Sequence, residues 1–416
     1  MKIAVIGSGI SGLTAAHLLY RQHEVTVFEK NDRLGGHTAT KSIHYGGKDY
    51  AIDTGFIVYN DWTYPNFIKL LERLNVTSQA TTMGFSVSHP ETGYEYSGEN
   101  LNSLFCQRRN LLNVRHWRMI KDILRFNKQA VADYLAGRLS PDGTLGEYLI
   151  QHNYSAAFRD YYLLPMGAAI WSSSPGAMLD FPLLFFVRFC HNHGLLSVND
   201  RPTWRVIQGG SANYIPRLIA GFEDQVRLSS RIEQVKRAAD GVDILVDGQQ
   251  EHYDAVIFAC HSDEALALLA DASVDERTLL EQIQYRKNSV VLHTDKRFLP
   301  KRKLAWSSWN YQLDTDLTRP PVLTYSMNIL QGIKAPVEFC VTLNARDEID
   351  SNKILGEYVY AHPVFTKNAI AAQEQWQSIN GVNHTWFCGA YWFNGFHEDG
   401  VKSAVRVSDA LGGETL

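Results

Sequence analysis

The sequence predicts an α/β fold. A parallel sheet begins at the N-terminus and is completed by segments from far along the chain, with a second, α+β domain threaded between them. Three observations lead there. A strand, a glycine turn, a helix and a second strand open the chain. Further strand–glycine–helix units recur over residues 204–222 and 385–400. The length, 416 residues, is too great for one ordinary core.

Lys2 to Ile6 is an apolar, β-rich run that can be buried on both faces. Gly7, Gly9 and Gly12 follow as G-x-G-x-x-G. Gly7 allows a tight turn, Gly9 lets a phosphate approach the backbone, and Gly12 lets the helix pack close to the strand. Residues 10–20 read as that helix, whose free N–H groups face a pyrophosphate. Val25 to Phe28 is the second strand. Glu29 ends it, 17 residues after Gly12, where a carboxylate can hold ribose hydroxyls. The unit is a dinucleotide site.

Four further stretches decide which dinucleotide. In NDRLGGHT, Arg33 precedes the pair Gly35 and Gly36, which suits a chain crossing the pyrophosphate again. In YAIDTGFIVYN, a short strand ends in Asp53-Thr54-Gly55, and Gly55 permits approach to a flat ring. Residues 204–222 place Gly209 and Gly210 before an amphipathic helix, followed by a strand, a hairpin and the apolar strand Ala255 to Ala259. At the C-terminus, strand Thr385–Cys388 runs into Gly389, and Gly400 opens a final helix.

With GSGISG and Glu29, RLGG, the DTG turn, the GGS helix start and the final CGAY…HEDGV segment, the chain resembles the flavin-containing amine oxidase superfamily. That superfamily includes monoamine oxidases, protoporphyrinogen oxidase and phytoene desaturases. The resemblance implies FAD, held by a Rossmann-type domain of the amine-oxidase/glutathione-reductase type. It implies a discontinuous FAD domain over residues 1–75, 200–285 and 385–416, and a substrate domain over 76–199 and 286–384. It carries Gly7, Ser8, Gly9, Ser11 and Gly12 to the pyrophosphate and Glu29 to the adenosine ribose. Arg33, Gly35, Gly36 and His37 fall along the pyrophosphate and ribityl chain. Thr54, Gly55 and Phe56 approach the isoalloxazine, Ile232 meets the adenine through its backbone, and Gly389, Asp399, Gly400 and Val401 close the site.

The departures from the family pattern carry information too. Asn368 to His384 lack the flavin-linking cysteine of monoamine oxidases, so the FAD is expected to be non-covalent. The oxygen-activating lysine of many relatives has Leu292 at its expected position, and the F-x-G-x-E glutamate is Tyr391. Phe396 keeps one member of the aromatic cage. HNHGLLSVNDRPTWRVIQGGS and YAHPVF resemble a bacterial subgroup that accompanies cyclopropane fatty acid synthases, which implies lipid acyl chains as substrate.

The expected activity is FAD-dependent dehydrogenation (desaturation) of a lipid acyl chain. The alternatives are an amine or polyamine oxidase, and a flavin-holding partner of a lipid-modifying methyltransferase. His293, with Asp295 two residues on, is the catalytic candidate; it reads either as a proton acceptor or as a structural histidine bonded to Asp295. Trp306 and Tyr325, in an aromatic stretch, and Phe396 are candidates to line a tunnel for a greasy substrate, or simply core. His191 and His193 lack a matching acid or cysteine pattern, so no metal site is expected.

A formal net charge of −4 excludes a molecule built for nucleic acid. Five scattered cysteines without C-x-x-C suit a reducing cytoplasm, and a first strand beginning at residue 2 leaves no leader peptide to expect. From Arg108 to Lys128, seven cations face Asp122 alone, with Leu111, Leu112, Trp117, Ile120, Ile123, Leu124 and Phe126 between them. Lys296, Arg297, Lys301, Arg302 and Lys303 form a second cluster. This pattern reads as peripheral contact with an anionic membrane, or as a solvated helix face.

Overall fold

The computed structural model describes residues Met1–Leu416. Five strands form a wholly parallel sheet in the order Val226–Arg227, Glu24–Phe28, Lys2–Ile6, Ala255–Phe258, Thr385–Phe387. Ile3 to Val5 and Val256 to Phe258 have no solvent exposure, because helices or further strands cover both faces. That is why these strands read as unbroken apolar runs rather than alternating ones. Helix Ile10–Leu19 lies against the last helix, His397–Ala410. An antiparallel sheet of Ile232–Ala238, Gly241–Val246 and Gln249–Tyr253 follows the edge strand.

Seven strands form the second large sheet, in the order Ile354–Pro363, Tyr285–His293, Cys340–Leu343, Val322–Ser326, Trp309–Gln312, Phe85–His89, Tyr94–Ser97. All its pairs are antiparallel except Trp309–Gln312 with Phe85–His89. Helices Val114–Leu135, Leu164–Trp171 and Leu183–Asn192 supply a separate apolar core around Phe126, Phe158 and Phe186. Truncating one of these phenylalanines to alanine would cost about 3–5 kcal/mol through lost burial and a cavity.

Two expected helices differ in extent. The last helix begins at His397, not Gly400, because the Asp399 carboxylate accepts the Phe396 N–H at 2.9 Å and caps it early. After Gly209 and Gly210 there is only a tight turn, Ser211–Tyr214, and one helical turn, Ile215–Leu218. Gly221, at φ +100°, then turns the chain away.

The basic stretch also differs from one amphipathic helix. It is a short turn, Arg108–Leu112, then helix Val114–Leu135 capped by the Asn113 side chain on the amides of Arg115 and His116. Phe126 is core, and Ile120 and Ile123 pack against that core. Arg125 lies over Tyr154 and pairs with Asp122 at 3.2 Å, so it leaves the exposed cationic face. In the second cluster, Arg297 pairs with Asp295 and Arg302 with Glu95. No helix is long and apolar enough to cross a membrane.

Candidate flavin and substrate site

The glycine turn between the first strand and helix has three glycines with three different reasons. Gly7 sits at φ +108°, and a Cβ there would fall 2.9 Å from the Ala259 carbonyl. A Cβ on Gly12 would fall 1.9 Å from the Gly7 oxygen, so this glycine lets the helix meet the strand. Gly9 has nothing within 4 Å of its would-be Cβ. Protein packing does not require glycine there; an open approach to the backbone does. Gly9 also starts the helix without a side-chain cap, leaving first-turn amides for an anion. Ser8 and Ser11 are buried in the same turn.

The RLGG turn is brought directly opposite. Gly35 N–H donates to the Ser8 carbonyl at 3.0 Å, and Gly36, at φ +56°, faces Gly9. Arg33 donates to the carbonyls of Leu34, Gly36 and Thr38, so it ties this turn while keeping positive charge beside it. The two facing glycine turns, with open backbone and nearby cation, fit the pyrophosphate of FAD.

Glu29 is buried at the end of the second strand. Its Oε2 accepts the Ser8 N–H (3.1 Å) and Oγ–H (2.6 Å), and its Oε1 accepts from Asn31. The Glu29 carbonyl accepts the Ser230 N–H, which brings Ile232, at the start of its strand, to the same end of the sheet.

Next along the chain, Thr54 N–H donates to Ala39 O, and Phe56 N–H to His37 O. A Cβ on Gly55 would strike the His37 oxygen at 2.1 Å. The Thr54 hydroxyl meets Tyr360 Oη at 2.9 Å. The His37 ring lies 5.3 Å from Tyr360, 5.5 Å from His362 and 6.2 Å from His261. Burial, then the neighbouring His362 and His261, push His37 down to about 3. Burial pushes His362 down to about 4. Both imidazoles are therefore neutral near pH 7. His37 Nε2 is buried with no protein partner, as a group awaiting a ligand would be.

Several contacts at this site were not read from the sequence. Asp53 accepts from Thr40 Oγ1, Ser211 N and Ser211 Oγ, which joins the DTG and GGS motifs. Tyr214 Oη lies 2.5 Å from Thr38 Oγ1 and 2.9 Å from His397 Nε2, and His397 stacks on Phe56 at 3.6 Å. His362 Nδ1 meets Ser172 Oγ at 2.9 Å and Asn288 at 3.4 Å, so Asn288 is one polar residue its strand brings to the histidine cluster. Leu292 lies instead in an apolar cluster with Ile52 and Ile57. Polar residues spaced so widely carry no local motif; only the pairing of DTG with GGS left a trace.

At the C-terminal end, Gly389 N–H donates to Ser403 Oγ, and a Cβ on Gly400 would meet Ile10 and Ser11. The last helix thus seats on the first glycine turn and helix. Val401 is core. The Asp399 side chain caps its own helix, and burial raises it to about 7.

His293 is held on both ring nitrogens. Its Nε2 meets Thr342 Oγ1 at 2.7 Å and its Nδ1 accepts the Asp295 N–H at 3.0 Å. Both nitrogens are occupied, the ring is wholly buried, and burial pushes it down to about 4. These contacts are those of a structural histidine, and the Asp295 carboxylate is turned to Arg297. Trp306 is also held away from the aromatic wall: its indole N–H donates to Pro300 O, with Lys303 over the ring. Tyr325 packs between two cores, edge-on to Trp309 at 5.2 Å. Phe396 does join a wall, stacked on Phe189 at 5.0 Å and 23°, with Phe189 in turn on His193 at 3.9 Å.

The chain matches the flavin containing amine oxidoreductase family over residues 10–329. It is 62% identical over 37 residues to 4,4'-diapophytoene desaturase (4,4'-diaponeurosporene-forming) of Staphylococcus aureus, a match taking in 9% of this chain and only 7% of that protein. Wild-type putrescine oxidase bound to putrescine has a TM-score of 0.69 at 16% identity, covering 99% of both chains. Cyclohexylamine oxidase from Brevibacterium oxydans gives 0.67 at 15%, again covering 99% of both. A CLA-producing fatty acid isomerase from P. acnes gives 0.69 at 18%, covering 99% of this chain and 97% of that one. These likenesses establish a shared fold across oxidases and an isomerase. Together with the family match and the paired glycine turns, they lead to one conclusion: the chain belongs to the flavin containing amine oxidoreductase family and is an FAD-dependent oxidoreductase.

Proposed function

We propose that the protein dehydrogenates a lipid acyl chain. The observation that carries this reading is a cavity of about 460 Å³ whose apolar wall is Trp171, Phe181 and Phe365 and whose lining includes His362. His362 in turn neighbours His37 of the flavin-side cluster. The volume suits a small-molecule site. FAD, when bound, supplies the acceptor for a hydride from an unactivated or allylic C–H. The chain's own residues orient the substrate, exclude water and keep the adjoining imidazoles uncharged. The isomerase likeness and the resemblance to the subgroup accompanying cyclopropane fatty acid synthases support an acyl substrate, and the desaturase segment is consistent with dehydrogenation of a hydrocarbon chain. Anaerobic mixing of the FAD-loaded protein with acyl lipids tests it. Bleaching of the oxidised flavin spectrum by lipid is expected; bleaching by amines alone would replace this reading with an amine oxidase. That second reading draws on Phe396 in the aromatic wall and on the two amine oxidases that share the fold.

An acyl substrate in a membrane needs an enzyme at the surface. One corner of the molecule exposes Leu111 (49%), Leu112 (91%), Val114 (67%) and Trp117 (48%). Arg108, Arg109, Arg115 and Arg118 surround them, all exposed. Charge complementarity favours an anionic lipid surface as the occupant, with the apolar tips entering the headgroup boundary.

A further inference from the structure

The cavity carries charge that an apolar substrate alone does not use. Arg286 lines it half-buried, and its side chain makes one weak contact, Nη1 to Ser173 Oγ at 3.4 Å. No carboxylate pairs with it. Lys367 stands on the same lining, exposed, its ammonium donating to the Asp142 carbonyl and in ion-pair contact with no carboxylate, with Glu147 close enough to feel its charge. Asp180 is the only acid among the lining residues, and it is exposed. Arg286 is also the register partner of His362 on the neighbouring strand, so the cation sits beside the inner, flavin-side end of the cavity. A half-buried guanidinium without an anion is unfavourable, and its planar fork matches a carboxylate or phosphate.

We infer that Arg286, assisted by Lys367, binds the anionic head of an amphiphilic substrate, a carboxylate or a phosphate ester, whose apolar body lies on Trp171, Phe181 and Phe365. This rests on the acyl-chain reading and narrows it: the substrate is an anionic amphiphile rather than a neutral lipid or an amine. Ser173 and Thr366 on the same lining, whose hydroxyl oxygens only accept within the protein, can donate to such a head.

The test is calorimetric titration of the FAD-loaded protein, below the micelle concentration, with dodecanoate, dodecyl phosphate, dodecanol and dodecylammonium. Inorganic phosphate and acetate are the chain-free controls. Wild type, Arg286→Gln and Arg286→Lys are compared at equal FAD content and thermal stability. An anionic ligand with a chain is expected to bind best, and whether dodecanoate or dodecyl phosphate binds tighter identifies the head. Arg286→Gln should weaken the preferred ligand by about tenfold or more, the loss of a charge-assisted pair, while leaving dodecanol unchanged. Arg286→Lys should recover part of the loss, since it keeps charge without the fork. If Arg286→Gln does not fold, Lys367→Gln carries the same comparison. Dodecanol binding as tightly as the anions, chain-free anions binding as tightly, a preference for dodecylammonium, or equal losses for charged and uncharged ligands would each overturn the inference. The failure of the broader reading is separable: an anion preference in a protein that never oxidises an acyl chain leaves the head-binding site standing and removes the dehydrogenase.

Discussion

The Asp53 carboxylate accepts both the backbone N–H and the hydroxyl of Ser211, each at 2.9 Å, across 158 residues of sequence. This contact fastens the DTG turn to the GGS turn. It also confines a carboxyl with no solvent exposure, and burial raises it from 3.8 to about 6.

The pH dependence follows with a definite sign. An acid raised in the folded state contributes stability below its unfolded value of 3.8 and loses it as pH rises through about 6. The swing is on the order of 3 kcal/mol. Denaturant unfolding of wild type and Asp53→Asn should therefore show wild type losing ground as pH rises from 4 to 7. A difference between the two that does not change with pH would contradict the assignment.

His293 gives the opposite slope. A histidine lowered to about 4 contributes stability above its ordinary 6.5 and loses it as pH falls through 4. His293→Gln should flatten the acid side of the stability profile while retaining FAD and turnover near neutral pH. Abolished turnover in a folded, FAD-loaded variant would restore His293 to the chemistry.

Glu29 links the second strand to the phosphate-binding turn through Ser8, at 2.6 Å from its hydroxyl. If it also holds the ribose, Glu29→Ala loses a charge-assisted bond of roughly 1.5–3 kcal/mol, and FAD affinity falls by about one to two orders of magnitude. Glu29→Gln should fall between. FAD retention through dialysis, measured by absorbance, decides this.

Cys388, just after the edge strand Thr385–Phe387, is buried, and burial pushes its thiol up to about 12. A neutral, enclosed thiol is a poor nucleophile. Acid precipitation should therefore release intact FAD into the supernatant. Flavin carried down with the chain would show a covalent link.

The apolar–basic corner should sediment with anionic vesicles at low salt and release as salt rises, since each cation near the surface contributes about 1 kcal/mol that ions screen. Arg115→Glu with Arg118→Glu should remove the binding, and Leu111→Ser with Leu112→Ser should weaken it at all salt concentrations. Equal binding to neutral vesicles would leave only the apolar part.

The parallel sheet was legible because its strands are buried on both faces and its glycines answer local constraints at Gly7, Gly12 and Gly36. The site was less so. Tyr214, Thr38 and His397 meet through tertiary packing, and no periodicity marks them. His293 had two readings in the sequence, proton acceptor or structural histidine, because a strand position beside an acid suits both until Thr342 and the Asp295 amide are seen to hold its two nitrogens. The basic stretch was legible as charge, but Arg125 turned to Asp122, and Phe126, Ile120 and Ile123 of its apolar set turned to the core.

The most direct measurement of the central claim is mass spectrometry of acyl lipids from cells with and without the protein, beside the FAD-loaded protein incubated with those lipids. The account requires an acyl species lighter by two hydrogens that appears only when the protein is present and is formed again by the purified enzyme. Identical acyl profiles in both cells, with no lipid converted by an enzyme that does oxidise amines, would contradict it.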